Sequence, residues 1–210
     1  MRNQKISIFV DGENFIRRVI ENFFETNVFE RQGAYMHHFF RMNFDFEGFF
    51  KSLIKEEYQD LQEIIWYDAR LNQHFSDEHR GNQFEFFKKL RLSRIQLELG
   101  KTKGDPQKGE VKQKGVDTKL VTDLVTKAVL KKYDVAFLVS SDWDFLPAVN
   151  FIQGITTKPR IGVNYVFFQE GCTQVLHSGC AYRTKISWKH VRDYCSDDLR
   201  KYRSNEKAKK

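Results

Sequence analysis

The sequence predicts an α/β fold in which helices cover both faces of a central, mostly parallel sheet, giving three layers. Short apolar segments rich in β-branched and aromatic residues alternate with longer segments whose apolar residues recur at helical spacing. Strands separated by helices pair in parallel through right-handed crossovers. At 210 residues, the chain fits one such domain with insertions, or a domain and a tail.

Three strands and three helices are predicted in the first half of the chain. The strand segments combine β-branched and aromatic residues, and the third alternates polar and apolar residues with period two. The predicted strands are residues 5–10, 63–68 and 94–99, and the predicted helices are residues 14–25, 46–58 and 80–92. The aromatic, His-containing segment 27–44 has no clear period. We interpret it as an insertion near residues 27–44 that covers one side of the site.

The second half continues the alternation and then weakens past Phe168. The Lys- and Gly-rich residues 101–114 predict a loop or a hairpin, and residues 135–139 form the most buried-looking strand. The other predicted elements are helices at 117–131, 144–153, 171–179 and 188–202 and strands at 160–166 and 183–188. The predicted organisation is a domain over residues 1–170, an extension over 171–202 that packs on it, and a basic disordered tail over 203–210.

Composition favours a cytoplasmic protein with a polyanionic partner. No apolar run reaches the ~18–20 residues of a membrane-spanning helix, and the first strand begins too early to leave room for a signal peptide. An odd number of cysteines, three, suits a reducing compartment. The net charge of +7 is compatible with RNA binding and equally with a solvated basic surface.

Four aspartates, Asp11, Asp117, Asp142 and Asp144, each follow a predicted strand or open a predicted helix. The carboxyl ends of the strands in an open α/β sheet meet at one crevice. Carboxylates brought together there repel one another unless a cation joins them. Mg²⁺ binds oxygen ligands of this kind together with substrate phosphates. The pattern therefore predicts metal-dependent chemistry on a phosphate ester.

Each aspartate also has an ordinary structural interpretation. Asp11 is a common residue at a strand-to-helix turn. Asp117, whose spacing places it on the apolar face of its helix, is a potential N-cap. Asp142 and Asp144 cannot both cap the same helix, so at least one of them needs another explanation. This pair is the strongest single motif in the chain.

Neighbouring polar residues are candidates to support the site. Asn14 is placed to orient Asp11 or a phosphate oxygen, or to cap the first helix. Ser140 brings a hydroxyl to the same edge, and Asp123 is a secondary candidate on the helix that begins near Asp117. We leave Glu13 out, because it points elsewhere if Asp11 and Asn14 share a direction.

Other chemistries lack their motifs. Cys172, His177 and Cys180 are close in sequence but without a familiar zinc spacing. The chain contains no Walker-type phosphate loop, no Gly-x-Gly-x-x-Gly and no nucleophilic serine elbow.

Three motifs together resemble the NYN domain family, a LabA-like branch of the PIN-like nucleases. They are Asp-Gly-x-Asn after the first strand, Lys-Gly-Val-Asp before the central helix with Asp123 further on, and Ser-x-Asp-x-Asp-Phe after the next strand. The resemblance covers roughly residues 4–168. It implies a PIN-like α/β/α fold and a ribonuclease that uses Mg²⁺ or Mn²⁺. The acidic positions of the family motifs correspond to Asp11, Asp117, Asp142 and Asp144, and the asparagine position corresponds to Asn14.

The third motif departs from the usual Ser-Gly-Asp-Ser-Asp-Phe of the family. Ser141 stands where glycine is usual, and Trp143 adds a bulky ring beside the site. This ring either narrows the site or offers a base a stacking surface.

The first hypothesis is an endonucleolytic, metal-dependent ribonuclease in which Asp11, Asp117 and Asp142 bind metal and Asp144 acts as a ligand or base. Candidate RNA contacts are Lys112, Lys114, Lys119 and Trp143. The second hypothesis is a catalytically weak RNA-binding or regulatory module. A phosphatase of the haloacid dehalogenase type is disfavoured, since Glu13 stands where a second aspartate is needed. A homodimer or a regulatory protein partner stays open.

Overall fold

The computed structural model describes residues 3–24, 33–54, 57–155 and 160–203. Within these residues, the strands form a seven-stranded sheet in the order β4-β3-β2-β1-β5-β6-β7. Neighbouring strands are parallel apart from the antiparallel pair of β3 and β4. The mostly parallel, three-layer α/β architecture that the sequence predicted is confirmed, and it is consistent with a PIN-like fold.

Strands and helices alternate along most of the chain. The strands are β1 (Gln4–Asp11), β2 (Gln59–Arg70), β3 (Gln96–Lys103), β4 (Lys112–Lys114), β5 (Val135–Val139), β6 (Gly162–Phe168) and β7 (Tyr182–Ile186). The helices are α1 (Gly12–Phe23), α2 (Gly33–Asn43), α3 (Phe46–Ser52), α4 (Asp77–Leu92), α5 (Val116–Val129), α6 (Leu146–Gly154), α7 (Gln174–Gly179), α8 (Trp188–Arg192) and α9 (Asp197–Arg200). No helix in these described ranges is both long and apolar enough to cross a membrane.

Successive side chains of the central strands enter different hydrophobic clusters. In β1, Ile8 and Val10 pack on the side that also receives α1 to α4, α8 and α9, whereas Phe9 packs on the side of α5 to α7. We call these sides the α1 face and the α5 face. Because both faces are buried, the central strands are almost continuously apolar, as expected for parallel strands.

The core on the α1 face is built mainly from aromatic rings. Phe15, fully buried on α1, lies at its centre. Its ring centroid is 5.3–6.2 Å from those of Phe44, Phe46, Phe49, Phe50, Trp66 and Phe168. Rings at these separations gain edge-to-face attraction in addition to apolar burial. This cluster fixes α1 against the sheet.

The start of α1 requires a close approach to β2. A Cβ atom on Gly12 would lie 2.3 Å from Nε1 of Trp66. Glycine at this position therefore lets the helix begin directly at the end of β1. Asp11, the last residue of the strand, is also the N-cap of the helix.

Residues 101–114, predicted as a loop or hairpin, form a hairpin. β3 continues to Lys103 and pairs in antiparallel register with β4. The hairpin leads directly into α5, so its lysines lie close in sequence to Asp117.

The segment near residues 27–44, interpreted as an insertion over the site, contributes α2 to the core instead. Met36 and Phe40 are buried in the aromatic cluster. Lys89 Nζ donates to the carbonyl oxygens of Arg41, Met42 and Phe44 at 2.8–3.0 Å, satisfying groups that the end of the helix leaves unpaired. Residues 25–32 lie outside the described part of the chain.

Two predicted helices are shorter than expected. The helix predicted to reach residue 58 ends at Ser52. The helix predicted over residues 188–202 is divided into α8 and α9, because the backbone between them pairs elsewhere: Ser196 N donates to Asn43 O at 2.9 Å, and Asp45 N donates to Tyr194 O at 2.8 Å. Ser196 then caps α9.

Residue 203, the first residue of the predicted tail, belongs to the described fold. Arg203 forms an isolated bridge with Phe24, and its guanidinium lies 4.9 Å from the ring centroid of Trp188. Residues 204–210 lie outside the described part.

We expect Phe15→Ala to destabilise the protein by about 3–5 kcal/mol, because it leaves a cavity among packed rings. Phe84→Ala is the matched control, since Phe84 is 61% exposed and its loss should change stability by no more than about 0.5 kcal/mol. Urea denaturation of both variants measures the difference. Equal stabilities would show that the ring cluster does not hold α1 in place.

Candidate functional site

The candidate site lies where β1 and β5 end side by side. The helices that follow these strands leave on opposite faces, α1 on one and α6 on the other. Such a switch point in an open α/β sheet leaves a crevice at the carboxyl ends of the strands. Asp11 ends β1, and residues 140–144 follow β5 directly.

The carboxylate of Asp11 is held by hydrogen bonds from both neighbouring segments. Ser140 Oγ donates to Asp11 Oδ2 at 2.8 Å, and the backbone amide of Asn14 donates to Oδ1 at 3.4 Å. Burial, with smaller contributions from the carboxylates of Asp117 and Asp142, raises the pKa of Asp11 to about 6 in spite of these donors. Ser140 thus supports Asp11 directly, in the place the sequence indicated.

Asn14 joins α1 to the segment after β5. Its Oδ1 accepts from the Ser141 amide at 3.1 Å and from Ser141 Oγ at 3.0 Å. Arg18 Nε, one helical turn further on, donates to Ser141 Oγ at 2.9 Å. The side chain of Asn14 therefore orients Ser141, while its backbone amide is the group that contacts Asp11.

Asp142 and Asp144 have different local roles. Asp142 Oδ1 accepts from the Asp144 amide at 2.9 Å, so Asp142 caps the short turn Trp143–Phe145. Its own amide donates to Ser140 Oγ at 3.1 Å. Asp144 is exposed and does not cap this turn. Because only Asp142 of this pair is a cap, capping does not explain the carboxylate of Asp144.

Asp117 is not an N-cap. The cap position of α5 is Gly115, with a φ of 81°, and no side chain caps the helix. Asp117 lies in the first turn, exposed beside the buried Val116 and Leu120, rather than within the apolar face. Partial burial raises the pKa of its carboxyl, and Asp142 and Asp144 add to the rise. Capping therefore does not account for an aspartate at this position.

The four aspartates form one electrostatically coupled group. Asp11 is affected by Asp117 and Asp142, and Asp117 is affected by Asp142 and Asp144. Across the residues that the structure describes, however, no three His, Cys, Asp or Glu side chains are close enough together to bind one metal ion as they stand. The all-oxygen donor set suits Mg²⁺ or Mn²⁺ chemically. To bind one ion together, the exposed carboxylates would have to rotate toward one another.

Asp123 has a different environment from the other candidates. Its Oδ2 accepts from Tyr67 OH at 2.8 Å, on the α5 face. The Tyr67 pKa lies well above its usual range, through burial and then through the hydrogen bond to Asp123. Asp123 follows Asp117 by six residues, about 9 Å along the helix axis. Its hydrogen bond ties α5 to β2.

The four candidate RNA-contacting residues differ in their surroundings. Lys119 Nζ is paired with Glu98 Oε2 at 2.9 Å. Trp143 is 62% exposed beside Asp142. Lys112 and Lys114 are exposed on the edge strand, directly opposite Lys103 and Lys101 in the hairpin register. Like charges placed opposite one another destabilise a strand pair. We call these four lysines the basic hairpin; the sequence analysis missed Lys101 and Lys103 as part of it.

A buried acidic residue that the sequence analysis also missed is Asp68, on the α1 face of β2. Burial raises its pKa to about 7, and the charge of Glu13 adds to the rise while Arg41 opposes it. Trp66 Nε1 donates to Asp68 Oδ2 at 3.3 Å. Glu13 forms an ion pair with Arg41, away from the Asp11 site. Nothing in the spacing of β2 distinguishes Asp68 from a carboxylate at an exposed strand end.

The fold is that of a nuclease-like α/β domain, with coupled carboxylates at its switch point. The NYN domain family model matches residues 5–158, and the chain belongs to this family. The chain is also similar to a protein of unknown function from Vibrio parahaemolyticus whose crystal structure is known. The two share 20% identity over 89% of this chain and 94% of the other, with a TM-score of 0.59, a likeness that shows the fold. No curated protein matches the chain significantly.

We expect Asp11→Asn to be more stable than the wild type above pH 6 by up to about 3 kcal/mol. The pKa of Asp11 is raised from 3.8 to about 6 on folding, so the native state carries an electrostatic penalty at neutral pH. The penalty decreases as the pH falls through 6 and is absent below about pH 4. Asparagine keeps an acceptor for Ser140 without the charge.

Urea denaturation at pH 8 and at pH 4 measures this difference. Asp60→Asn, which alters an exposed carboxylate near the amino end of β2, is the control. Its stability relative to the wild type should not depend on pH in this way. A variant no more stable than the wild type at pH 8 would contradict the raised pKa.

Proposed function

We propose that this protein is a metal-dependent ribonuclease of the LabA-like branch that hydrolyses internal phosphodiester bonds of RNA. The observation that carries the proposal is the coupling of Asp11, Asp117, Asp142 and Asp144 at the switch point of the sheet. A surface that only binds RNA gains nothing from clustered carboxylates, because they repel phosphate. A cation between carboxylates and phosphate makes the same cluster useful.

In this proposal, Asp11, Asp117 and Asp142 bind Mg²⁺ or Mn²⁺, and Asp144 is a further ligand or base. A divalent ion there lowers the pKa of water and stabilises charge on the attacked phosphate. The chain itself fixes two of the carboxylates: Ser140 orients Asp11, and the Asp144 amide orients Asp142. Since Asp11 must lose its proton to bind a cation, metal affinity should weaken as the pH falls through about 6.

Single-stranded RNA is the substrate class that the surroundings favour. The exposed ring of Trp143, adjacent to Asp142, is placed to stack on an unpaired base. The basic hairpin ends at Lys114, three residues before Asp117, and is placed to bind the phosphate backbone. Duplex RNA would hold its bases away from Trp143.

A catalytically weak RNA-binding or regulatory module is the second candidate. It is favoured by the separation of the carboxylates, which do not form a ready metal site within the described residues. Retained metal-dependent cleavage distinguishes the two candidates.

We also place the activity in the cytoplasm. Cys172, Cys180 and Cys195 are free thiols, which supports a reducing compartment. Burial raises the pKa of Cys180 to about 11 and that of Cys195 to about 12, so neither is a reactive thiolate.

We expect Asp142→Asn to reduce cleavage of labelled single-stranded RNA by more than about 100-fold, because it removes a metal-binding carboxylate. The assay is run with Mn²⁺ or Mg²⁺, and EDTA should abolish wild-type cleavage. The fold should be retained or slightly stabilised, since asparagine still accepts from the Asp144 amide and carboxylate repulsion is relieved. Asp60→Asn is the charge-matched control.

Cleavage by Asp142→Asn at the wild-type rate would show that the proposed site is wrong. Wild-type protein that binds RNA but does not cleave it in any metal would favour the binding module.

A further inference from the structure

A cavity of about 270 Å³ lies on the α1 face, beyond the carboxyl ends of β6 and β7. It is formed between the last turn of α1, the segment that follows β6 and the start of α8. Its lining includes Asn22, Phe23, Glu170, Trp188, Lys189 and Arg203. We call it the Trp188 cavity. None of its residues was singled out by the sequence motifs.

Apart from Glu170, the charged residues of the lining are cationic, and they lie beside aromatic rings. The ring of Trp188 lies 5.9 Å from that of Phe23 and 5.7 Å from that of Phe24, which fixes its orientation. The guanidinium of Arg203 lies over the Trp188 ring at 4.9 Å. Lys189 is exposed at the start of α8. Rigid rings beside Lys and Arg form the kind of surface on which unpaired bases stack while the backbone is neutralised.

A row of hydrogen bonds connects this cavity to the aspartate site. Asn14, Arg18 and Asn22 follow one another at intervals of four residues along one side of α1. Asn14 and Arg18 bind Ser141, as described above. Asn22 Nδ2 donates to Glu170 O at 3.1 Å, and Asn22 Oδ1 accepts from the Glu170 amide at 2.9 Å. From Asn14 to Asn22, the distance along α1 is about 12 Å.

The position and the lining of the cavity together favour single-stranded RNA as its occupant. It opens at the same edge of the sheet as Asp11 and Asp142, and rigid contacts rather than a loose loop connect the two places. A chain with regularly spaced negative charges and flat rings matches both the cations and the aromatic wall. An acidic peptide would supply the charges but no regular series of flat rings.

We propose that the Trp188 cavity is a substrate subsite that holds a flanking nucleotide of single-stranded RNA whose cleaved phosphate lies at the Asp11 site. The base stacks on the face of the Trp188 ring that Arg203 does not cover, and Lys189 and Arg203 bind the adjoining phosphates. This assignment rests on the proposed ribonuclease function. It adds a direction for the RNA, which would run from the Asp11 site past Arg18 and along α1 to the cavity.

The test is RNA binding without cleavage. Fluorescence anisotropy with labelled single-stranded RNA is measured in EDTA over a series of salt concentrations. Lys189→Glu/Arg203→Glu should weaken binding about tenfold or more at low salt. The slope of log affinity against log salt should flatten by about 1.4, since each lost phosphate contact on a single strand contributes about 0.7.

Lys131→Glu/Lys132→Glu is the matched control. Both lysines are exposed beyond the end of α5, at the amino edge of the sheet, and the charge change is the same. This double variant should keep the wild-type salt slope. Circular dichroism and thermal melting confirm that both double variants are folded.

A photocrosslink locates the base independently. RNA containing 4-thiouridine should crosslink to Trp188 in the wild type and in Asp142→Asn, and the crosslink should be lost in Lys189→Glu/Arg203→Glu.

The outcomes separate the two proposals. A wild type that cleaves RNA, together with a Lys189→Glu/Arg203→Glu variant that has unchanged affinity and salt slope, overturns the subsite and leaves the ribonuclease intact. Crosslinking of the RNA to other residues but not to Trp188 would also overturn the subsite. A wild type that neither binds nor cleaves single-stranded RNA overturns both proposals.

Discussion

The pairing of β1 with β5 is the constraint on which the candidate site depends. Val10 is in register with Val139, so that the next residues of both strands, Asp11 and Ser140, come together. The hydrogen bond between them joins positions 129 residues apart. A slip of one residue in either strand would turn every side chain of that strand to the other face. The apolar residues that bury both faces of these strands therefore also set the position of the first carboxylate.

This arrangement has an electrostatic cost that the rest of the fold offsets. Asp11 and Asp68 are buried carboxyls with raised pKa values, and the pKa of Asp117 is raised by desolvation and then by the charges of Asp142 and Asp144. Groups of this kind reduce stability at neutral pH. On the α1 face, the tightly packed rings around Phe15 and Trp66 supply compensating burial. The unfavourable charges lie at the sheet edge that carries the candidate site, and the stabilising contacts lie in the layers behind it.

The sequence was sufficient for the parts of the fold that local pattern decides. The strands β1 and β5 and the helix α5 have strong apolar periods, and they were predicted close to their observed bounds. The break between α8 and α9 was missed, since it depends on backbone pairing with Asn43 and Asp45, far away in sequence. The capping interpretation of Asp117 was wrong for a local reason: Gly115, in a left-handed conformation, occupies the cap position. Asp68 was missed because burial of a strand-end carboxylate depends on which helices cover it.

The distribution of charge around the site explains how a basic protein can hold an acidic centre. The basic hairpin lies on one side of the aspartates along the sheet, and the Trp188 cavity with Lys189 and Arg203 lies on the other. Either cationic surface alone would attract a polyanion without directing it. An RNA strand that contacts both must cross the switch point, where its phosphate meets carboxylates that repel it in the absence of a cation. In the proposed ribonuclease, convergence of the carboxylates, binding of the metal and binding of the phosphate would therefore stabilise one another. On that proposal, separated carboxylates are the expected state of the protein before RNA and metal bind.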